Sequence, residues 1–211
     1  MLGILIKDLL VVVKNFKMIQ LLILGIIILP VSQNPDFIVP IVSSVVTVWI
    51  VTLLSSSFEY DDQAGWSEQI DFLPIQRRKA VQEKYLFGGL LSMVSLTLIV
   101  FLLVLLKKAG LAISGKDFYI GISISVPMSF VYVGLIIPCV YKFGVESSRI
   151  LLYVIVLFPT LLLGISQMFH MNTNQLSLSK TQMGVALVVG AILWIGVSYN
   201  FSVYIYKRKE F

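Results

Sequence analysis

Long stretches without a charged residue are the feature that most constrains how this chain can fold. Six apolar runs occur, at residues 16–31, 37–58, 85–106, 118–141, 150–165 and 183–206, and Lys17, at the start of the first, is their only charged residue. A helix needs about 20 apolar residues to cross the hydrocarbon of a bilayer. We therefore predict an all-α polytopic membrane protein, one transmembrane domain over residues 1–211 with six membrane-spanning helices. Runs 16–31 and 150–165 are short for a span.

The composition supports a membrane protein and excludes several other classes. Charged residues make up 13% of the 211 residues, whereas soluble domains have about a quarter. The net charge of +5 could suggest nucleic acid, but the basic residues stand at the ends of apolar runs, as in proteins beside anionic lipid. With Cys139 as the only cysteine and His170 as the only histidine, we expect no internal disulfide and no metal site.

The distribution of Lys and Arg predicts the orientation. If the amino terminus is inside, the cytoplasmic segments hold twelve Lys and Arg residues and the outside holds four, namely Lys107, Lys108, Lys116 and Lys180. Cytoplasmic loops carry the excess of positive charge in most membrane proteins. Both termini are therefore predicted to lie in the cytoplasm.

The first fifteen residues have the pattern of an amphipathic helix. Leu5, Leu9, Val12 and Phe16 recur at helical spacing, and a second side is predicted to carry Lys7, Asp8, Lys14, Asn15 and Lys17. Such a helix lies in the membrane interface rather than across the bilayer. A cleaved signal peptide is the alternative, but no small-x-small cleavage site follows Leu29.

Polar residues within the runs are hydroxyls and amides. Because intramembrane charges usually mark ion pathways, their scarcity argues against ion-coupled transport. Hydroxyls and small residues such as Gly88 and Ser92 can simply allow helices to pack. The alternative is a polar translocation path, for which the candidates are Ser43, Thr47, Thr52, Ser55 and Asn200. Pro127 and Pro138 are predicted to kink the fourth span.

Charge is concentrated in one segment, residues 59–84, between the second and third runs. Asp61 and Asp62 precede Trp66, Ile70 and Leu73, whose spacing predicts a short helix with one apolar stripe and acids in its first turn. Pro74 is predicted to open the next helix, which continues as span three. The stripe could lie against lipid headgroups, or it could dock into a groove on a cytoplasmic protein.

Three local patterns resemble catalytic motifs only superficially. Residues 110–117 nearly match a phosphate-binding loop, but Asp117 replaces the hydroxyl that would hold magnesium. Ser166 and His170 could suggest an intramembrane enzyme, but they belong to a predicted loop rim. Residues 170–174 lack the paired glutamates of a membrane metalloprotease. We expect none of these to be a catalytic site.

Several motifs together resemble a known family. The sequence FEYDDQAGW at 58–66, Leu73-Pro74-x-x-Arg77 and Val81-x-x-Lys84-Tyr85 are similar to the permease subunits of bacterial type-2 ABC exporters. Residues 5–9, LIKDL, resemble the opening elbow helix of that family. The resemblance implies six spans per subunit, an interfacial elbow helix at residues 1–15 and a cytoplasmic coupling helix within 59–84.

The resemblance also implies partners and a function. Two permeases, identical or homologous, would assemble with separate cytoplasmic ATPase subunits in the bacterial cytoplasmic membrane. ATP and magnesium would be bound by those ATPases, so this chain would need no cofactor and would not be an enzyme. The apolar character of the path suggests a hydrophobic or amphipathic substrate, such as an antimicrobial peptide, a toxin peptide, a drug or a lipid. A peptide sensor or immunity subunit is the alternative function.

The resemblance assigns roles to particular residues. Docking to the ATPase falls to Asp61, Trp66, Leu73, Pro74, Arg77 and Arg78. Lys84 and Tyr85 would form the hinge into span three.

Overall fold

Five long helices make up the part of the chain that the computed structural model describes, residues 2–15, 35–66, 76–111, 113–148 and 180–208. They are α1 (Leu2–Asn15), α2 (Pro35–Gln63), α3 (Arg77–Lys108), α4 (Gly115–Phe143) and α5 (Lys180–Arg208). No strand occurs within these ranges. The all-α prediction is therefore confirmed for the described residues.

Four of these helices are long and apolar enough to cross a membrane. The candidate spans are Ile41–Gln63, Arg77–Lys108, Gly121–Phe143 and Leu187–Arg208. They contain or overlap the runs predicted at 37–58, 85–106, 118–141 and 183–206. The other two predicted spans, 16–31 and 150–165, lie outside the described residues.

The helices pack around a core shared by α2, α3 and α4. Fully buried side chains come from each of the three, including Val46 and Leu54 of α2, Phe87 and Ile99 of α3 and Ile137 of α4. Helix α4 contacts α2, α3 and α5, and α1 packs on α2 and α3 at one end. The core is therefore continuous through the middle of the bundle.

Two glycines allow the backbones to approach closely. A Cβ at Gly88 of α3 would lie 2.6 Å from Cγ1 of Val133 on α4, and one at Gly134 of α4 would lie 2.6 Å from the indole nitrogen of Trp194 on α5. Small residues at helix crossings are how membrane helices obtain dense packing. The packing role predicted for Gly88 is consistent with this approach.

Helices α4 and α5 run in the same direction. The hydroxyl of Ser198 on α5 donates a hydrogen bond to the carbonyl of Gly134 on α4, and further along both helices the ring centroids of Tyr141 and Tyr206 lie 4.7 Å apart. The α-helix of α4 continues through Pro127 and Pro138. The last turns of α4 and α5, which carry Lys142, Lys207 and Arg208, therefore lie at the same end of the bundle as α1 and the start of α3.

Candidate functional site

The charged segment between the second and third spans is organised differently from the prediction. Asp61 and Asp62 lie in the last turn of α2, and the short helix predicted after them lies mostly outside the described residues. The helix stops because Gly65 adopts a positive φ of 61°, and the amides of Ala64 and Gly65 donate to the carbonyls of Tyr60 and Asp62. The two acids therefore stand at the negative end of a helix dipole, which is unfavourable unless cations compensate them.

Helix α3 also begins later than predicted. Its first residue is Arg77, and Gln76 precedes it with extended backbone angles, φ −67° and ψ 134°. An extended residue at 76 separates Pro74 from this helix, so the prediction that Pro74 opens it is wrong. Much of the predicted cytoplasmic segment 59–84 is thus the ends of α2 and α3.

Lys84 of α3 supplies the compensating cation. Its ammonium donates to Oδ2 of Asp8 and to Oγ of Ser57, each at 2.6 Å, and it lies 2.6 Å from Oδ2 of Asp61. An ammonium has three N–H donors, and three acceptors from α1 and α2 surround it. Lys84 therefore joins three helices at one point.

A second lysine completes this group. Lys7 forms a hydrogen-bonded ion pair with Asp61 and lies 3.2 Å from Oδ1 of Asp8. We call Lys7, Asp8, Asp61 and Lys84 the ion cluster. Its members come from α1, the end of α2 and the start of α3, and together they hold these three elements.

The position of Asp8 corrects the predicted faces of α1. The sequence placed Asp8 on the polar side, but its side chain is fully buried beside Lys84, and Ile4 and Val12 share its face. Leu9, predicted in the apolar stripe, is exposed. The ion pair with Lys84 is the reason, because a carboxylate can be buried when a cation and hydrogen bonds accompany it.

Next to the ion cluster is a cavity of about 80 Å³. Its walls include Asp61, Asp62, Trp66, Glu83 and Lys84. The carboxyl of Glu83 is almost completely buried, and neither of its oxygens has a hydrogen-bond partner among the described residues. Since the two lysines of the ion cluster face Asp8, Asp61 and Glu83, this site has more acidic than basic groups.

The predicted docking residues occupy different environments. Asp61 forms ion pairs with Lys7 and Lys84 of the same chain, and 15% of its side chain is exposed. Trp66 is half-buried: it packs on a small cluster formed by Ala80, Val81 and Tyr206, and the ammonium of Lys7 lies 4.3 Å from its ring centroid.

The remaining members of the predicted docking set differ again. Arg78 is exposed and its Nε donates to the hydroxyl of Tyr199 at 3.2 Å, while Arg77 is half-buried. Leu73 and Pro74 lie outside the described residues, as does Ile70. The docking role of the whole set stays a prediction.

Tyr85, predicted with Lys84 as a hinge, lies inside the continuous helix α3. Its hydroxyl shares hydrogen bonds with Ser198 at 2.6 Å and Ser202 at 2.8 Å, both on α5. Lys84 and Tyr85 therefore contact opposite neighbours, α1 and α2 on one side and α5 on the other. The hinge role also stays a prediction.

The predicted translocation residues do not share one surface. Ser43 and Thr47 are fully buried and Asn200 is exposed. The side chains of Thr47, Thr52 and Asn200 donate hydrogen bonds to carbonyls of their own helices. These bonds satisfy the polar groups without a polar translocation path. This arrangement fits the alternative of helix packing.

Sequence reasoning missed Asp8, Ser57 and Glu83. One signal was present: Asp8 is the only acid of α1, and a carboxylate that is buried needs an opposite charge, which Lys84 supplies. Their separation of 76 residues concealed the pairing. Ser166 and His170 lie outside the described residues.

In a comparison with protein-family models, the chain matches the ABC-2 family transporter protein model over residues 3–207. Comparisons with curated proteins and with solved structures gave no match. Since the family model covers nearly the whole chain, this protein belongs to the ABC-2 transporter family and is a membrane transport component rather than a catalyst.

Proposed function

We propose that this ABC-2 family chain is the permease subunit of an ATP-driven exporter. It would move a hydrophobic or amphipathic substrate out of the cell, while a separate ATPase binds ATP and magnesium. A second permease, the same or a homologous chain, would complete the membrane part. The family match over residues 3–207 supports the class of protein.

In the orientation that we propose, the ion cluster lies at the cytoplasmic end of the bundle. The described basic residues at the end of the bundle that holds α1 are Lys7, Lys14, Arg77, Arg78, Lys79, Lys84, Lys142, Lys207 and Arg208, and the other end has Lys107, Lys108, Lys116 and Lys180. The excess of positive charge favours the cytoplasm for the first end.

The ion cluster is the observation that carries the proposed mechanism. It joins α1, the end of α2 and the start of α3 directly beside Trp66, the first residue of the predicted docking stripe. A force applied to this segment by an ATPase would reach three helices together. Closure of the ATPase dimer on ATP would in this way drive the spans between inward-open and outward-open packings.

Co-purification tests this proposal. We expect Arg78→Glu to reduce the amount of ATPase that co-purifies with the tagged chain and to reduce export, because Arg78 is exposed at the predicted docking surface. Trp66→Ala combined with Leu73→Ala should abolish both. Because Trp66 also packs within the chain, the Arg78 variant separates lost docking from lost folding.

The matched control is Arg208→Glu, an exposed arginine in the last turn of α5 at the same end. It should leave ATPase co-purification unchanged. A chain that recovers no ATPase from its own membrane extract, or an Arg78→Glu variant that recovers as much as the wild type, would contradict the proposed docking.

A further inference from the structure

A groove runs between α4 and α5 on the outer surface of the bundle, with a volume of about 230 Å³. Its walls are almost entirely hydrocarbon. The lining side chains include Leu135, Pro138 and Cys139 of α4 and Val197 and Phe201 of α5. Val197 and Phe201 are more than half exposed, so the groove is open on its outer side among the described residues.

The groove follows from the packing of the two helices. At Gly134 the helices are in close contact, because the ring of Trp194 fills the space that a Cβ would take and the hydroxyl of Ser198 donates to the Gly134 carbonyl. One turn later the residues of α4 that line the groove are Pro138 and Cys139, whose side chains are small. The space between them is therefore left open toward the basic end.

The mouth of the groove is positively charged. Lys142, in the last turn of α4, lines the groove and is exposed, and its ammonium lies 5.0 Å from the ring centroid of Phe143. Lys207 and Arg208 are exposed in the last turn of α5, which runs parallel to α4. An apolar channel thus leads to a group of cations at the membrane surface.

We propose that this groove binds one anionic phospholipid of the leaflet at the basic end of the bundle. An acyl chain lies against Pro138, Cys139 and Val197, and the phosphate contacts Lys142. Basic sites between membrane helices on the cytoplasmic side are suited to anionic headgroups. A second copy of this surface fits less well, because pairing it with itself would bring Lys142 toward Lys142.

Cys139 reports on occupancy, because it lines the groove and is the only cysteine in the chain. The protein is reconstituted in phosphatidylcholine alone or with added phosphatidylglycerol, and the rate of Cys139 modification by N-ethylmaleimide is measured. We expect phosphatidylglycerol to slow the modification about fivefold, because one contact between a lysine and an anionic headgroup favours binding by about that factor. Lys142→Ala should lose this protection, and Lys142→Arg should retain it.

Two matched controls separate charge from groove shape. Lys107→Ala removes the same charge at the opposite end of the bundle and should leave the protection intact. Native mass spectra should show less retained phosphatidylglycerol for Val197→Phe, which fills the groove, than for Val189→Phe, at an exposed position of α5 outside it.

Three results would overturn the proposal. The first is equal modification rates in the two lipid mixtures. The second is equal loss of protection in Lys107→Ala and Lys142→Ala, which would indicate a general effect of surface charge. The third is efficient cross-linking of Cys139 between two copies of the chain, which would show that a second subunit covers the groove.

Discussion

The charged end of the bundle and its apolar middle are held together in opposite ways. At the charged end, Lys84 connects three helices through Asp8, Ser57 and Asp61. In the middle, the hydroxyls of Thr47, Ser92 and Ser125 bond to carbonyls of their own helices, and the contact among α2, α3 and α4 is made mainly by hydrocarbon. Ion pairs and hydrogen bonds therefore hold the helices together at the charged end, while the packing of apolar side chains holds them together in the middle.

This difference has a physical cause. A buried ion pair is tolerated where both partners and further hydrogen bonds are present, but removal of one partner leaves an uncompensated charge. Packing between apolar side chains responds gradually, because each added or removed group changes the free energy of unfolding by a limited amount. We therefore expect substitutions at the charged end to have larger effects than substitutions in the middle.

The largest effect is expected for Lys84→Met. It leaves Asp8 fully buried without its main cation, and such a loss costs about 3–5 kcal/mol of stability. The measurement is the fraction of monodisperse protein that remains after heating in mild detergent. The exposed Lys107→Met serves as the control and should change stability by no more than about 0.5 kcal/mol.

The double variant Asp8→Asn with Lys84→Met sharpens this test. Removing both charges should restore part of the stability lost in Lys84→Met, because no buried carboxylate of α1 then lacks a cation. If the double variant is as unstable as the sum of the two single variants, the pair does not act as a unit.

A smaller effect is expected for Gly88→Ala in the apolar middle. The new methyl group would lie 2.6 Å from Cγ1 of Val133, a β-branched side chain with little freedom to move. We expect a loss of about 1–3 kcal/mol, measured by the same heating assay. The neighbouring Gly89 has open space around its Cβ position, so Gly89→Ala should be neutral or stabilising by up to about 1 kcal/mol.

The smallest effect is expected for Tyr85→Phe, which lies between the two regions. It removes the hydroxyl that bonds to Ser198 and Ser202 but keeps the ring packed against Tyr199. Hydrogen bonds between membrane helices contribute about 0.6 kcal/mol on average, so we expect a loss of about 1 kcal/mol. Tyr119→Phe, at an exposed position of α4, should show no loss.

The two regions also differ in how well the sequence predicts them. Four of the six predicted spans coincide with described helices that are long and apolar enough to cross a membrane, because hydrophobic length is a local property that adjacent residues determine. The end of α2 lies later than predicted: the apolar run ends at Phe58, whereas the helix continues through Asp61 and Asp62 and stops before Gly65, a helix stop signal.

The ion cluster could not be predicted from local patterns. Asp8 belongs to α1 and Lys84 to α3, and only the tertiary packing brings them together. The helical spacing of Leu5 and Leu9 suggested an apolar face, but the buried face of α1 is the one that contains Asp8. A charged residue within an apolar helix predicts that a partner exists, not which residue it is.

The order in which the chain is synthesised gives the ion cluster a further consequence. Asp8 and Asp61 leave the ribosome before Lys84, and domains generally fold from the amino terminus as they emerge. Until Lys84 arrives, Lys7 is the only cation of the ion cluster available to both carboxylates. We therefore expect α1 and α2 to reach their final packing only after α3 has been made, because the two carboxylates share one cation until then.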